Sequence, residues 1–179
     1  MAEKKSNPWA ISVRVKHYNT SKTRFQIGHD FRIGDQPKYV DEKRSHLNSG
    51  TSSMSAIQYR DLMLERRKLT DPKGSPLMKR AAIMTGGIIT FGHLAQIEIE
   101  ALDAETQDRM YAEIADRVAE VLKNDVTGLA SHRDEEAPHA HFQMPSRRAK
   151  DGRLMSEVLA PKITSQLQDE AAKIAQRYA

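Results

Sequence analysis

The chain of 179 residues contains no cysteine. Disulfide bonds and thiolate ligands are therefore excluded, so a metal ion would have to be held by histidine, carboxylate or water. No apolar run approaches the roughly 18 residues that a membrane span needs. The N-terminal MAEKK also lacks the apolar stretch of a signal peptide. We expect a soluble protein of the reducing cytoplasm, without a membrane partner.

Three of the seven histidines lie between positions 132 and 141, beside acidic residues. The alternating pattern of 139–144 predicts a half-buried strand with His139 and His141 on its polar face. The run 126–131 predicts an antiparallel partner strand that brings His132 alongside. Three neutral imidazoles suit zinc, manganese, cobalt or nickel and leave positions open for a phosphate oxygen, so we predict a catalytic metal site. Surface histidines flanking a turn are the alternative.

The net charge of +4 and the pI near 9.3 agree with a polyanionic partner. Basic residues crowd near the N-terminus and directly after the histidine segment, next to the candidate site in sequence. We expect them to contact phosphates. The predicted phosphate-binding residues are Arg14, Lys16, Arg24, Arg44, Arg147, Arg148, Lys150 and Arg153.

Periodicity predicts an α+β fold in one domain, 1–179, which is either complete or the catalytic N-terminal part of a longer protein. Its expected feature is an antiparallel sheet backed by helices. The first predicted elements are a strand at 9–18 and an irregular or partly helical segment at 19–50. A helix should then run from Ser52 or Ser53 to about Leu69, with Met54, Ile57 and Leu64 buried, before a strand at 81–91 that is interrupted at Gly86-Gly87. The last predicted elements are a helix from Asp103 to Lys123, the histidine hairpin, and a helix that starts at Pro161.

Two separated motifs make the chain resemble the MobV (Pre/Mob) family of plasmid mobilisation relaxases. The first is His132–His141 (HRDEEAPHAH), followed by Asp151–Leu154 (DGRL). The second is His29–Arg32 (HDFR), followed by Arg44–Asn48 (RSHLN). The chain departs from the family pattern at Asp30, where asparagine is usual, and at positions 36–38, where the family has Asn-Pro-Asp.

The resemblance implies the HUH relaxase fold, a two-layer sandwich, and nicking of one DNA strand at an origin of transfer by transesterification. His132, His139 and His141 would hold a divalent ion, Mn²⁺ in the first place, with Mg²⁺, Zn²⁺, Co²⁺ and Ni²⁺ as alternatives. His29 would be the nucleophile that retains the 5′ phosphate, and a neutral imidazole suits that role near pH 7. Glu135 would orient His29, and Arg32 would bind the phosphate.

Several alternatives stay open at this point. A tyrosine could replace His29 as nucleophile, and the candidates are Tyr39, Tyr18 and Tyr59. The protein could instead be a rolling-circle replication initiator of the same superfamily, a DNA-binding autorepressor without turnover, or an unrelated metallohydrolase. The expected partner is single-stranded or hairpin DNA of the transfer origin, with relaxosome or coupling proteins as further candidates.

Overall fold

A five-stranded antiparallel sheet forms the centre of the computed structural model, which describes residues 7–51 and 54–179. The strand order is β1-β3-β5-β4-β2, and every neighbouring pair is antiparallel. The predicted antiparallel α+β fold is therefore confirmed. The strands are β1 Ile11–Tyr18, β2 Ser49–Thr51, β3 Met84–Phe91, β4 Gly128–His132 and β5 His139–Pro145.

The helices connect these strands and pack on the sheet. They are α1 Thr20–Asp30, a 3-10 helix Glu42–Leu47, α2 Ala56–Arg67, α3 His93–Glu100, α4 Ala104–Leu122, α5 Met155–Val158 and α6 Pro161–Ala175. The segment 19–50, predicted to be irregular or partly helical, contains a full helix, α1, whose first turn is capped by the Asn19 side chain. Within the described ranges, no helix is both long and apolar enough to cross a membrane.

The main core lies between one face of the sheet and helices α4 and α6. Alternate residues of β5, namely Ala140, Phe142 and Met144, are fully buried there. The predicted α4 is confirmed in detail: Asp103 caps it, and Lys123 ends it in the left-handed conformation. Its buried stripe is Met110, Ile114, Val118 and Leu122.

A smaller core lies on the opposite face of the sheet, on the side of α1 and α2. Tyr59 and Met63 of α2 pack with Met84, at the end of the sheet where β3 begins. The predicted buried stripe of α2 was wrong at Ile57, which is 62% exposed. The helix is capped by Ser55, whereas the predicted caps Ser52 and Ser53 lie outside the described residues.

The predicted interruption of β3 at Gly86 and Gly87 was wrong, since the strand pairs without a break on both sides. The two glycines make room for aromatic rings instead. A Cβ on Gly87 would overlap the buried ring of Phe142, and one on Gly86 would lie 2.9 Å from the ring of Tyr18. Helix α3, which follows β3, was not predicted.

Candidate active site with a histidine cluster

The β4–β5 hairpin brings His132, His139 and His141 together as the sequence predicted. His132 is the register partner of His139, and His141 lies two residues further along β5 on the same face. The three ring centroids are 4.9 to 5.0 Å apart, and all three side chains are buried. One face of the hairpin therefore carries a compact imidazole cluster.

Backbone carbonyls determine which ring nitrogens face the centre of this cluster. His132 donates from Nε2 to the carbonyl of Asp30 at 2.8 Å, and His139 donates from Nδ1 to that of Ala137 at 2.8 Å. Because a carbonyl only accepts, the other nitrogen of each ring, His132 Nδ1 and His139 Nε2, is left for the cluster, and these two atoms are 3.2 Å apart. Nε2 of His141 is buried without a hydrogen-bond partner in the described part of the chain.

These features fit a divalent metal ion. Burial lowers the pKa of His139 below its ordinary value and lowers that of His141 to about 3, so both rings are neutral, which is the metal-binding form. Glu135 adds a carboxylate oxygen 3.5 Å from His132 Nδ1 and another 3.8 Å from His139 Nε2. A divalent cation bound between these ring nitrogens would accept their lone pairs and so complete their bonding.

His29 belongs to the same cluster, although it lies more than 100 residues earlier in the chain. It is in the last turn of α1, with ring centroids 5.3 Å from His132 and 5.0 Å from His141. Its Nδ1 is 3.4 Å from Asp30 and its Nε2 is 3.5 Å from Glu135. Hydrogen bonds with these two carboxylates raise the pKa of His29 to about 9. This differs from the neutral imidazole that an unperturbed pKa predicts.

Asp30 is a site residue for which the sequence argument found no role. Its carboxylate is almost fully buried and accepts hydrogen bonds from Gln26 at 2.6 Å and from Gln143 at 2.5 Å. It also lies 3.5 Å from Nδ1 of His141, whose other ring nitrogen is the buried Nε2. A carboxylate in this position orients the imidazole and makes it a stronger ligand.

Arg32 connects the end of α1 to the hairpin, because its guanidinium N–H groups donate hydrogen bonds to oxygen atoms of the protein. Nε and Nη2 contact the Asp134 carboxylate, and Nη2 also reaches Glu135 at 2.8 Å. Nη1 donates to the carbonyl of His29 at 2.8 Å. The backbone of Arg32 has a φ of 52°, in the left-handed region that favours glycine. This geometry is that of a residue that positions Glu135 and His29.

The segment Arg44–Asn48 holds the hairpin through two residues to which the sequence argument gave no role. Ser45 donates from its hydroxyl to Asp134 at 2.7 Å, and Asn48 accepts from the backbone N–H of Arg133 at 2.7 Å. Burial disfavours the charged form of Asp134, but the hydrogen bonds from Arg32 and Ser45 outweigh it and hold the pKa of that carboxyl below its usual range. Arg44 itself is exposed.

The predicted phosphate-binding residues fall into two regions. Arg14 and Lys16 are exposed on β1, in a groove that also includes His141, and Arg24 is exposed on α1. The group from Arg147 to Arg153 follows the far end of β5, about 20 Å from His139 at some 3.3 Å per strand residue. The role of this group in binding phosphates stays a prediction. Two of its members contact protein groups: Arg147 bonds Thr70 and Gly152, and Arg148 pairs with Asp151.

The three candidate tyrosines differ sharply in position. Tyr59 is fully buried, and its hydroxyl contacts Thr127 and Gln143. Tyr18 is half-buried, between the smaller core and the groove that contains Arg14, Lys16 and His141. Tyr39 is 61% exposed, with its hydroxyl 3.4 Å from Nε2 of His29. Of these three, Tyr39 is the most exposed, and its hydroxyl contacts the cluster.

Comparison with known proteins identifies the fold of this chain. No protein-family model matches the chain, and no curated protein matches it in sequence. Among solved structures, it is similar to the Mn-bound MobM relaxase domain (MOBV; Mob_Pre) with a 23-nucleotide oriT DNA of plasmid pMV158, with TM-score 0.74 and 20% identity over 93% of this chain and 84% of that one. A 22-nucleotide complex of the same domain gives TM-score 0.71 and 19% identity over 95% and 87%. At this identity, the likeness establishes the relaxase-domain fold.

Proposed function

We propose that this chain is the catalytic domain of a plasmid mobilisation relaxase of the MobV (Pre/Mob) family. It nicks one DNA strand at an origin of transfer and remains attached to the 5′ phosphate. The observation that carries the proposal is the close packing of three imidazoles beside His29, two of which turn ring nitrogens toward each other. The shared fold with relaxase domains that bind oriT DNA supports it.

The metal ligands in this proposal are His132, His139 and His141. Mn²⁺ is the first choice, because the similar domains contain it and because three imidazoles suit a borderline divalent ion. When bound, the ion neutralises charge that develops on the scissile phosphate. The chain supplies the rest of the chemistry through His29 and its two carboxylate neighbours.

His29 is the proposed nucleophile. The Asp30 carboxylate beside Nδ1 favours a proton on that atom, which leaves Nε2 to attack phosphorus after its own proton has passed to Glu135 or to water. A nitrogen–phosphorus bond forms, the bond from phosphorus to the 3′ oxygen breaks, and that oxygen leaves as a hydroxyl with the proton that Glu135 or water had accepted. The phosphoramidate retains the 5′ end, and attack by a 3′-hydroxyl reverses the step.

Arg32 acts in this scheme as a positioning residue, since its guanidinium is already bound to Asp134 and Glu135. The DNA backbone instead follows the exposed cations of the groove beside His141, Arg14 and Lys16. The more distant Lys150 and Arg153 contact DNA only outside the cleavage site. We further propose that the protein works in the cytoplasm with relaxosome or coupling proteins.

A nicking assay tests the function. A supercoiled plasmid that carries the DNA flanking this gene is incubated with Mn²⁺ or with EDTA. We expect open circles only with Mn²⁺, for wild type and for His93→Ala, an exposed histidine outside the cluster, but not for His139→Ala. If wild-type protein that binds Mn²⁺ leaves the plasmid intact, the relaxase proposal fails and DNA binding without turnover becomes the better account.

A further inference from the structure

The groove beside His29 exposes apolar side chains that no step of the proposed reaction uses. Phe25 on α1 is 80% exposed, and Ile33 is 64% exposed. Both line the same groove of about 900 Å³, which reaches His29. An exposed apolar pair at one site indicates that a ligand covers it, because scattered single residues are the ordinary pattern.

The position of Phe25 relates the groove to the reacting atoms. Lys22, Phe25 and His29 follow each other at spacings of three and four residues, so they share one face of α1. Phe25 is about 6 Å from His29 along the helix axis at 1.5 Å per residue. A group bound on Phe25 is therefore an immediate neighbour of whatever His29 attacks.

The charged residues that line this groove indicate which kind of ligand binds in it. Lys16, Lys22 and Arg24 line the groove, and Asp35 is the acidic residue among its lining. Within the described ranges, the side chains of Lys22 and Arg24 have no ion-pair partner. Cations around an exposed ring match a single nucleic-acid strand, whose phosphates bind the cations while its bases stack on the ring.

We propose that Phe25 and Ile33 form a stacking site for an unpaired base next to the scissile phosphate. The inference rests on the proposed function, since that function requires single-stranded DNA at His29. The site selects single strands over duplex, because a paired base does not present its face to a side chain. It accepts any base, since every base has a face that can stack.

Binding without cleavage tests the site separately from catalysis. The probe is a fluorescent oligodeoxythymidylate of about 16 nucleotides, followed by anisotropy in EDTA, with a duplex of equal length for comparison. We expect Phe25→Ala to weaken binding of the single strand about 5- to 150-fold, as for loss of one stacked base. Phe25→Trp should bind at least as tightly as wild type, whereas Phe25→Leu should resemble Phe25→Ala.

The dependence of the binding affinity on salt concentration distinguishes base stacking from contacts with phosphates. Phe25→Ala should lower affinity equally at every salt concentration, whereas Lys22→Ala should reduce the salt slope by about 0.7 for one lost phosphate contact. The matched control is Ile97→Ala, which removes a side chain that is 59% exposed on α3. It should bind as wild type. Circular dichroism checks that each variant is folded.

The outcomes for the stacking site and for the relaxase proposal are distinguishable. If wild type does not bind the probe, or if Phe25→Ala or Phe25→Leu binds it as wild type does, the stacking site is wrong even when plasmid nicking succeeds. If binding depends on the Phe25 ring while no plasmid is nicked, the stacking site stands and the relaxase proposal fails.

Discussion

The Arg32 guanidinium forms two hydrogen bonds with the carboxylate of Asp134, from Nε at 2.8 Å and from Nη2 at 2.6 Å. The pair joins the end of α1 to the hairpin that carries the histidine cluster. Asp134 has no exposed side-chain surface, and Ser45 provides a further donor to it. One ion pair thus sets the distance between the proposed nucleophile on α1 and the proposed metal ligands on β4 and β5.

We predict that Arg32→Ala lowers the free energy of unfolding by about 3–5 kcal/mol, because it leaves the Asp134 carboxylate buried without its cation. Arg32→Lys should restore little of this loss, since an ammonium lacks the planar fork that reaches both oxygens. Urea unfolding followed by circular dichroism gives the values.

The control for this prediction is Arg117→Ala, which breaks more exposed pairs with Glu120 and Glu170. It should cost no more than about 1 kcal/mol. Equal losses for the Arg32 and Arg117 variants would mean that the buried pair has no special importance for folding.

We predict that His139→Ala weakens Mn²⁺ binding by more than the roughly 10- to 100-fold typical of losing a supporting residue around a metal. The reason is that it removes one of three converging nitrogens. Isothermal titration calorimetry measures the affinity, and His93→Ala should bind as wild type. Unchanged Mn²⁺ affinity in His139→Ala would place the ion elsewhere in the protein.

The chemistry of the covalent adduct identifies the nucleophile. A phosphohistidine bond is labile in acid, whereas a phosphotyrosine bond is stable. We predict an acid-labile adduct that disappears in His29→Ala and persists in Tyr39→Phe, the variant that lacks the neighbouring hydroxyl. Denaturing gels of labelled DNA before and after acid treatment show the difference. An acid-stable adduct that survives in His29→Ala would make tyrosine the nucleophile.

We predict that Gly87→Ala destabilises the protein by about 1–3 kcal/mol, because the added methyl group overlaps the buried ring of Phe142. Phe142→Leu removes that ring and should lessen the effect of the glycine change. A double-mutant cycle by urea unfolding measures this coupling. Strictly additive losses would show that the two residues do not compete for the same space.

Much of the fold could be predicted where neighbouring residues decide the structure. The alternation of 139–144 placed His139 and His141 on one face and Phe142 on the other, as found. The Asp103 cap and the apolar stripe that follows gave α4 its correct bounds. These signals are local, since a strand repeats every two residues and a helix about every 3.6.

The errors share a cause, which is that partners distant in sequence decided the structure. Gly86 and Gly87 indicate a break in isolation, but the rings of Tyr18 and Phe142 fill the space above them. Distant partners also decided the buried stripe of α2, where Ile57 is exposed while Tyr59 and Met63 pack with Met84. Neither relationship is encoded in adjacent residues.

The sequence by itself determined the hairpin, its three histidines and the longest helix, because strand alternation and helix capping depend on residues a few positions apart. Only the tertiary structure brought His29 to the cluster, bound Arg32 to Asp134 and gave Asp30 its place beside His141. Those contacts join segments about 100 residues apart. They depend on how the sheet orders its strands and where α1 crosses its face, which no local pattern specifies.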